Sequence, residues 1–223
     1  MGQAIGGALP FAIGIALSPI PIVGVVMMLA TPRARVNGLA FLAGWVLGLA
    51  IVGTLVLLVA GGAGASEGGA PADWVNWLKI VLGLALLHLA LKQWRGRPRA
   101  GETAEMPGWM RSVDHFGPGR ACGLAVLLSA VNPKNLVLAI GAAGTISQVG
   151  LDALQDTVAM AIFVTIATLG PAVPVVIYFA MGERSRRLLD ELRDWMTHNN
   201  ATIMAVICLL IAAKLIGDGI SGF

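Results

Sequence analysis

A lysine stands between two asparagines, directly behind a proline, in the middle of an apolar stretch: Asn132-Pro133-Lys134-Asn135. More than ten apolar or small residues flank Lys134 on each side, so its amine cannot easily reach either surface of a membrane. A charge at the bilayer centre costs from about 2.5 to over 10 kcal/mol, and such residues normally face a cavity or a partner. No Asp or Glu lies in the interior of any apolar stretch, which leaves the amine without an obvious counter-ion. It is then either uncharged at rest, and able to take part in proton coupling, or set to receive an anion such as a carboxylate or phosphate. The plainer alternative is a lysine that bonds backbone carbonyls freed around Pro133 or Pro19. The other two lysines outside the basic loops, Lys79 and Lys214, lie near the ends of their stretches and can snorkel.

A second break answers the first. Ser18-Pro19-Ile20-Pro21 interrupts the opening apolar stretch. Proline lacks an N–H and clashes with the carbonyl four residues back, so each break exposes backbone that protein or a wet cavity must satisfy. Asn132 and Asn135 can cap such groups or orient a ligand, and Ser18, Pro19 and Pro21 form the facing break. Half-helices starting after Pro19 and Pro133 present N–H groups that favour an anion. Gly170-Pro171-Ala172-Val173-Pro174 reads as a further helix interruption, with Thr165 and Thr168 before it: a hinge, a cavity wall or a packing kink. Gly38, Gly44, Gly48 and Gly53 predict close helix approach.

The elements that position these residues are membrane spans. Hydrophobic residues make up 57% of 223 and charged residues 12%, with a mean hydropathy of +0.82. A soluble domain carries about 25% charged residues. Six apolar segments are long enough to cross a bilayer, the third and sixth with help from their flanks: 4–30, 38–61, 75–91, 121–146, 157–181 and 201–216. Met1-Gly2-Gln3 lacks the basic start of a cleavable signal, and the apolar run that follows is too long for one.

Twelve of the fifteen Lys and Arg fall on alternate loops: Arg33 and Arg35; Lys92 to Arg120; Arg184 to Arg193. The opposite loops carry Glu67, Asp73, Asp152 and Asp156 without a single Lys or Arg. The positive-inside rule then places both termini outside and three basic loops in the cytoplasm, so the net charge of +3 reads as a topology signal and not as nucleic-acid binding. Pro19 and Pro133 are 114 residues apart, as are Gly38 and Asp152, and both prolines fall roughly 20 Å deep. The expected fold is an all-α integral membrane protein. Its six transmembrane helices form a 3+3 inverted repeat in which helices 1 and 4 are broken or kinked. Residues 1–91 form the first repeat, 92–120 a cytoplasmic connector and 121–223 the second. An amphipathic helix near 183–196 is expected to lie in the inner interface, its arginines near anionic headgroups.

Enzymatic and cofactor chemistry finds no support in the motifs. There is no GxxxxGK[ST], no HExxH and no Ser/His/Asp set. His88 reads as packed, His115 and His198 lie in loops, and no acid–His cluster offers a metal site. Cys122 and Cys208 lie in different segments, without the cysteine pair across the central spans that thiol-electron carriers need.

Ser18-Pro19-Ile20-Pro21, Asn132-Pro133-Lys134-Asn135 and the six-span plan resemble the lysine exporter (LysE) superfamily. Within it the chain looks most like the GAP/Sap-like branch of peptidoglycolipid- and sulfolipid-addressing proteins. The resemblance implies a bacterial cytoplasmic-membrane protein that exports or flips a lipid, glycolipid or other anionic amphipathic molecule. It also implies contact with membrane lipids, an ion gradient or partner proteins as the drive, and self-association such as a dimer. Amino-acid exporters of the superfamily usually carry Pro-Gly-Pro where this chain has Pro19-Ile20-Pro21, which counts against a small amino acid; export of a small anionic or zwitterionic substrate, an amino acid or organic acid, is the alternative on the same fold. A non-transporting subunit of an envelope lipid-export machine is the alternative of another class.

Overall fold

In the opening stretch, two closely spaced prolines decide where one helix stops and the next begins. In a computed structural model, which describes residues 1–62, 66–67, 70–71, 73–97 and 108–223, helix α1 (Gly2–Ala16) ends there and α2 (Pro19–Leu29) starts with Pro19 in its first turn. Proline suits that position because its fixed φ and missing N–H cost nothing there. Ser18, between the two helices, is extended (φ −74°, ψ 113°), and they meet at 51°. The second break repeats the plan. Helix α5 (Pro118–Val126) runs into a π-helical turn, Leu127–Val131, and Asn132 (φ −59°, ψ 121°) turns the chain into α6 (Pro133–Ser147) at 62°.

The other helices are long. α3 spans Ala34–Gly62, α4 Asp73–Arg95, α7 Ala153–Met181 and α8 Arg186–Ile220. A two-residue antiparallel ladder (β1, Ser66–Glu67; β2, Ala70–Pro71) lies between α3 and α4. Among the described residues, three to five helical segments are long and apolar enough to cross a membrane, the higher figure counting each bent pair as one span. α1 packs against α6 and α7, α3 against α5, α6 and α7, α2 against α3, α7 and α8, and α4 against α8 and α6. The core between them is built from Phe11, Phe41, Trp45, Leu49, Leu138 and Phe163. Gly44 and Gly48 face Cys122 and Ser129 so closely that a Cβ would collide, which brings α3 against α5 as their spacing predicts.

Two expectations are corrected. Gly170–Pro174 does not interrupt its helix: α7 continues through Pro171 and Pro174. The N–H that Pro171 lacks would have bonded Ala167 O, and the indole Nε1 of Trp45 donates to that carbonyl instead, at 3.3 Å. Gly170 adds a packing role, since a Cβ there would strike Ala16 O at the end of α1. The segment 183–196 is not a helix of its own either. A short 3₁₀ turn (Gly182–Ser185) begins at Gly182, in left-handed backbone (φ 55°), and from Arg186 the chain is one helix to Ile220. Nothing stops it near Met196: Thr197 Oγ1 donates to Arg193 O and Asn199 Nδ2 to Trp195 O, so these polar side chains bond within the helix.

Of the connector expected at 92–120, residues 98–107, with Arg99, lie outside the described residues. Its later part, a 3₁₀ helix over Gly108–His115, buries Met110 and Val113. Asn37 Nδ2, at the start of α3, donates to Phe116 O at 2.9 Å and pins that segment to the helical body.

Candidate functional site

The two breaks leave two carbonyls without their helical partners. In α1, Gly14 O would normally accept from Ser18 N, but that N–H bonds Ile15 O at 3.1 Å. In the second break, Asn132 N reaches back to Leu127 O at 3.1 Å, the wider step of the π-turn. Leu128 O is thereby passed over, and the next residue, Pro133, has no N–H to give. Gly14 and Leu128 are separated by 114 residues, as Pro19 and Pro133 are. The freed carbonyls therefore occupy equivalent places in the two halves of the chain.

Both are satisfied by consecutive residues at the start of α6. Lys134 Nζ donates to Gly14 O at 2.7 Å and to Ser18 Oγ at 2.5 Å. Asn135 Nδ2 donates to Leu128 O at 2.9 Å, while its Oδ1 accepts from Ser18 Oγ at 3.2 Å. Asn132 caps α6: its Oδ1 accepts from Lys134 N at 3.1 Å. Lys134 is 1% exposed, Asn135 0% and Ser18 3%. Helix α8 covers the group. A Cβ on Gly14 would press on the side-chain ends of Ile211, Leu138 and Ile207, so α1 packs closely against α6 and α8 at this point.

Lys134, Asn135 and Ser18, singled out from the sequence, thus form one hydrogen-bonded cluster, with Asn132 as its helix cap. Pro19 and Pro21 are buried at the start of α2, and Pro133 opens α6 with its ring exposed. The expectation of two donor-rich helix starts is weakened: Pro19 and Pro21 remove N–H groups from α2, and Asn132 occupies one at α6. Gly170, Pro171, Pro174 and Thr168 make none of the cluster's hydrogen bonds: they lie on α7, where Gly170 packs against Ala16 between Gly14 and Ser18, and Thr168 Oγ1 donates to Val164 O within its own helix. Among the described residues, no carboxylate pairs with Lys134, and no three His, Cys, Asp or Glu gather where they could hold a metal.

Sequence reasoning missed several residues. Trp45 carries no mark that it will serve a carbonyl on α7. Ser129 sits fully buried in the π-turn, its Oγ donating to Val126 O at 3.2 Å. Asn76, also buried, ties α4 to the end of α8 by donating from Nδ2 to Gly222 O at 2.7 Å. Lone asparagines at the ends of apolar segments were the one available signal for it and for Asn37.

Paired proline-broken helices, bound together by a buried lysine inside a bundle of apolar helices, define a polytopic membrane protein organised around its own helix interruptions. Residues 8–221 match the family described as Sap, sulfolipid-1-addressing protein, and the chain belongs to that family. No curated protein and no solved structure matches it.

Proposed function

We propose that this protein is a secondary exporter or flippase of the LysE-superfamily type, moving a lipid-linked or other anionic amphipathic molecule outward across the bacterial cytoplasmic membrane. The observation that carries the reading is the Lys134 amine, buried, with no carboxylate partner among the described residues, and held by two neutral acceptors that belong to the other half of the chain. An anionic headgroup is a stronger acceptor for the amine than a carbonyl or a hydroxyl, since it adds the attraction of opposite charges to the hydrogen bond. Such a ligand displaces Gly14 O and Ser18 Oγ from the amine and loosens the tie between the breaks. In this account the bonded arrangement is the occluded state. The family's description, which concerns the addressing of a sulfolipid, is consistent with an anionic lipid cargo.

The six-span, 3+3 inverted plan belongs to the same proposal. It counts α1–α2 and α5–α6 as one broken span each and α7 and α8 as two. Exchanging the halves maps α1–α7 packing onto α5–α3, α2–α7 onto α6–α3, and α2–α8 onto α6–α4. It maps α3–α7 and α4–α8 onto themselves, which supports a two-fold axis in the membrane plane, whereas the packing of α1 on α6 has no comparable partner in α5 on α2 among the described residues. With the basic loops inside, both termini face outward.

The test is flipping of a fluorescent anionic phospholipid in proteoliposomes that hold the purified protein. Lys134→Met keeps an unbranched side chain only one atom shorter and removes its charge, and the expected result is loss of flipping with the helical fold retained. A folded Lys134→Met protein that flips normally overturns the reading. A non-transporting subunit of an envelope lipid-export assembly is the second reading, supported by an amine that Gly14 O and Ser18 Oγ already satisfy in a structural role. It predicts no flipping by the wild-type protein alone and co-purification with partner proteins.

A further inference from the structure

Away from Lys134, a cleft of about 230 Å³ opens between α3, α4 and the far half of α6. Its walls are Leu55 and Val59 on α3, Trp74 and Leu78 on α4, and Ile140 and Gly144 on α6. The hydroxyl of Ser147, also at the wall, is turned back into its own helix and donates to Gly144 O at 3.1 Å. Apolar cavities of about 150 Å³ stay dry and take up hydrocarbon, so this cleft favours an apolar occupant over water. Gly144 supplies a second, independent sign. Glycine inside a helix costs roughly 0.5–1 kcal/mol relative to alanine, yet a Cβ at Gly144 would meet nothing within 4 Å. No neighbouring side chain demands the glycine, and the space that it leaves adds to the cleft.

Charge narrows the choice of occupant. Neither wall-forming stretch, residues 54–78 or 135–150, contains a Lys or Arg. The exposed Asp73 adjoins Trp74, and Asp152 and Asp156 follow shortly after Ser147. Lys79, the next cation along α4, lies toward α8, where Lys214 pairs with Asp218. The flank is acidic, which repels an anionic headgroup and suits one with an exposed positive group. Trp74, half-exposed at the start of α4, has the amphipathic ring typical of the membrane interface.

We propose that this cleft holds one acyl chain of a zwitterionic phospholipid, bound as a lasting part of the structure and separate from any cargo handled at Lys134. Gly144 lies ten residues beyond Lys134 along α6, about 15 Å at helical rise, and no residue of the Lys134 cluster lines the cleft. The inference therefore stands apart from the transport reading.

Full-length protein in detergent is titrated with phosphatidylcholine brominated on its acyl chain, and tryptophan emission is followed. Subtracting the signal of Trp74→Phe isolates the Trp74 component. The expected result is saturable quenching of that component, lost in Gly144→Leu and in Ile140→Phe, each of which fills the cleft. Brominated phosphatidylglycerol should need at least a threefold higher concentration for half-saturation. Unaltered quenching in a folded cleft-filling variant overturns the site, and equal quenching by both lipids overturns the headgroup assignment. A dimer by light scattering that Gly144→Leu dissociates, with no saturable quenching, means that a second copy fills the cleft and the proposal fails. Should Gly144→Leu misfold, Ile140→Phe decides alone.

Discussion

Trp45→Phe tests whether an indole 122 residues away is what keeps α7 whole across Pro171. The substitution removes the Nε1 donor and leaves Ala167 O buried without a partner, at a cost of about 1–3 kcal/mol. A cavity term for the lost ring adds to this. Pro171→Ala alters the balance, because the substituted residue regains an N–H placed to bond Ala167 O within the helix. In that background Trp45→Phe should cost only its cavity term. The double-mutant cycle is therefore expected to show a coupling of about 1–2 kcal/mol, the share of the penalty that belongs to the orphaned carbonyl. For a chain of this length that is roughly 2–8 °C in unfolding midpoint, readable by thermal unfolding of the four proteins in one detergent. Distant, independent sites add to within about 0.5 kcal/mol. Additivity within that margin would falsify the claim that Trp45 substitutes for the missing proline donor.

Four further outcomes follow from the same geometry. Asn135→Leu strands Leu128 O and takes away the acceptor of the Ser18 hydroxyl proton, and should destabilise the protein by about 2–4 kcal/mol, while the equally apolar exchange Asn132→Leu, at a half-buried cap, costs about 1 kcal/mol; denaturation in mixed micelles compares them. Gly48→Ala must push Ser129 and Val126 aside and lowers the melting temperature, whereas Gly144→Ala meets open space and raises stability by about 0.4–1 kcal/mol. Glu191→Gln breaks an exposed pair with Arg187 and should leave the melting temperature unchanged within error. Asp156 lies ahead of the apolar part of α7, and burial, then the neighbouring Asp152, raises its pKa above the ordinary carboxylate value. Its ionised form therefore weakens the fold at pH values above the raised pKa, and that penalty fades as pH falls toward about 3.9. Asp156→Asn should accordingly gain most over wild type at neutral pH and lose the advantage in acid, as paired melting curves would record.

Proline made the two breaks legible in the sequence, because its missing donor and fixed φ act on the residues beside it whatever the rest of the chain does. Ser18 and Asn132 as the turning residues, and Pro19 and Pro133 as helix starts, could be read for the same local reason. The partners of Lys134 could not. Gly14 O is 120 residues away, and it needs a partner only because Ser18 N bonds one residue short. The continuity of α7 was misjudged on the same grounds, since the compensating indole lies on another helix. The continuity of α8 was misjudged for a different one: polar residues between two apolar stretches suggested a joint, but they carry no breaker, and Thr197 and Asn199 bond back along the helix.

One helix end serves two masters. Lys134 and Asn135 are neighbours on the first turn of α6, so a single small displacement of that turn strips the cover from Gly14 O and Leu128 O at once. Half-released arrangements have no cheap form. The chain's two discontinuities are thereby yoked, and whatever loosens one must meet the cost of loosening both.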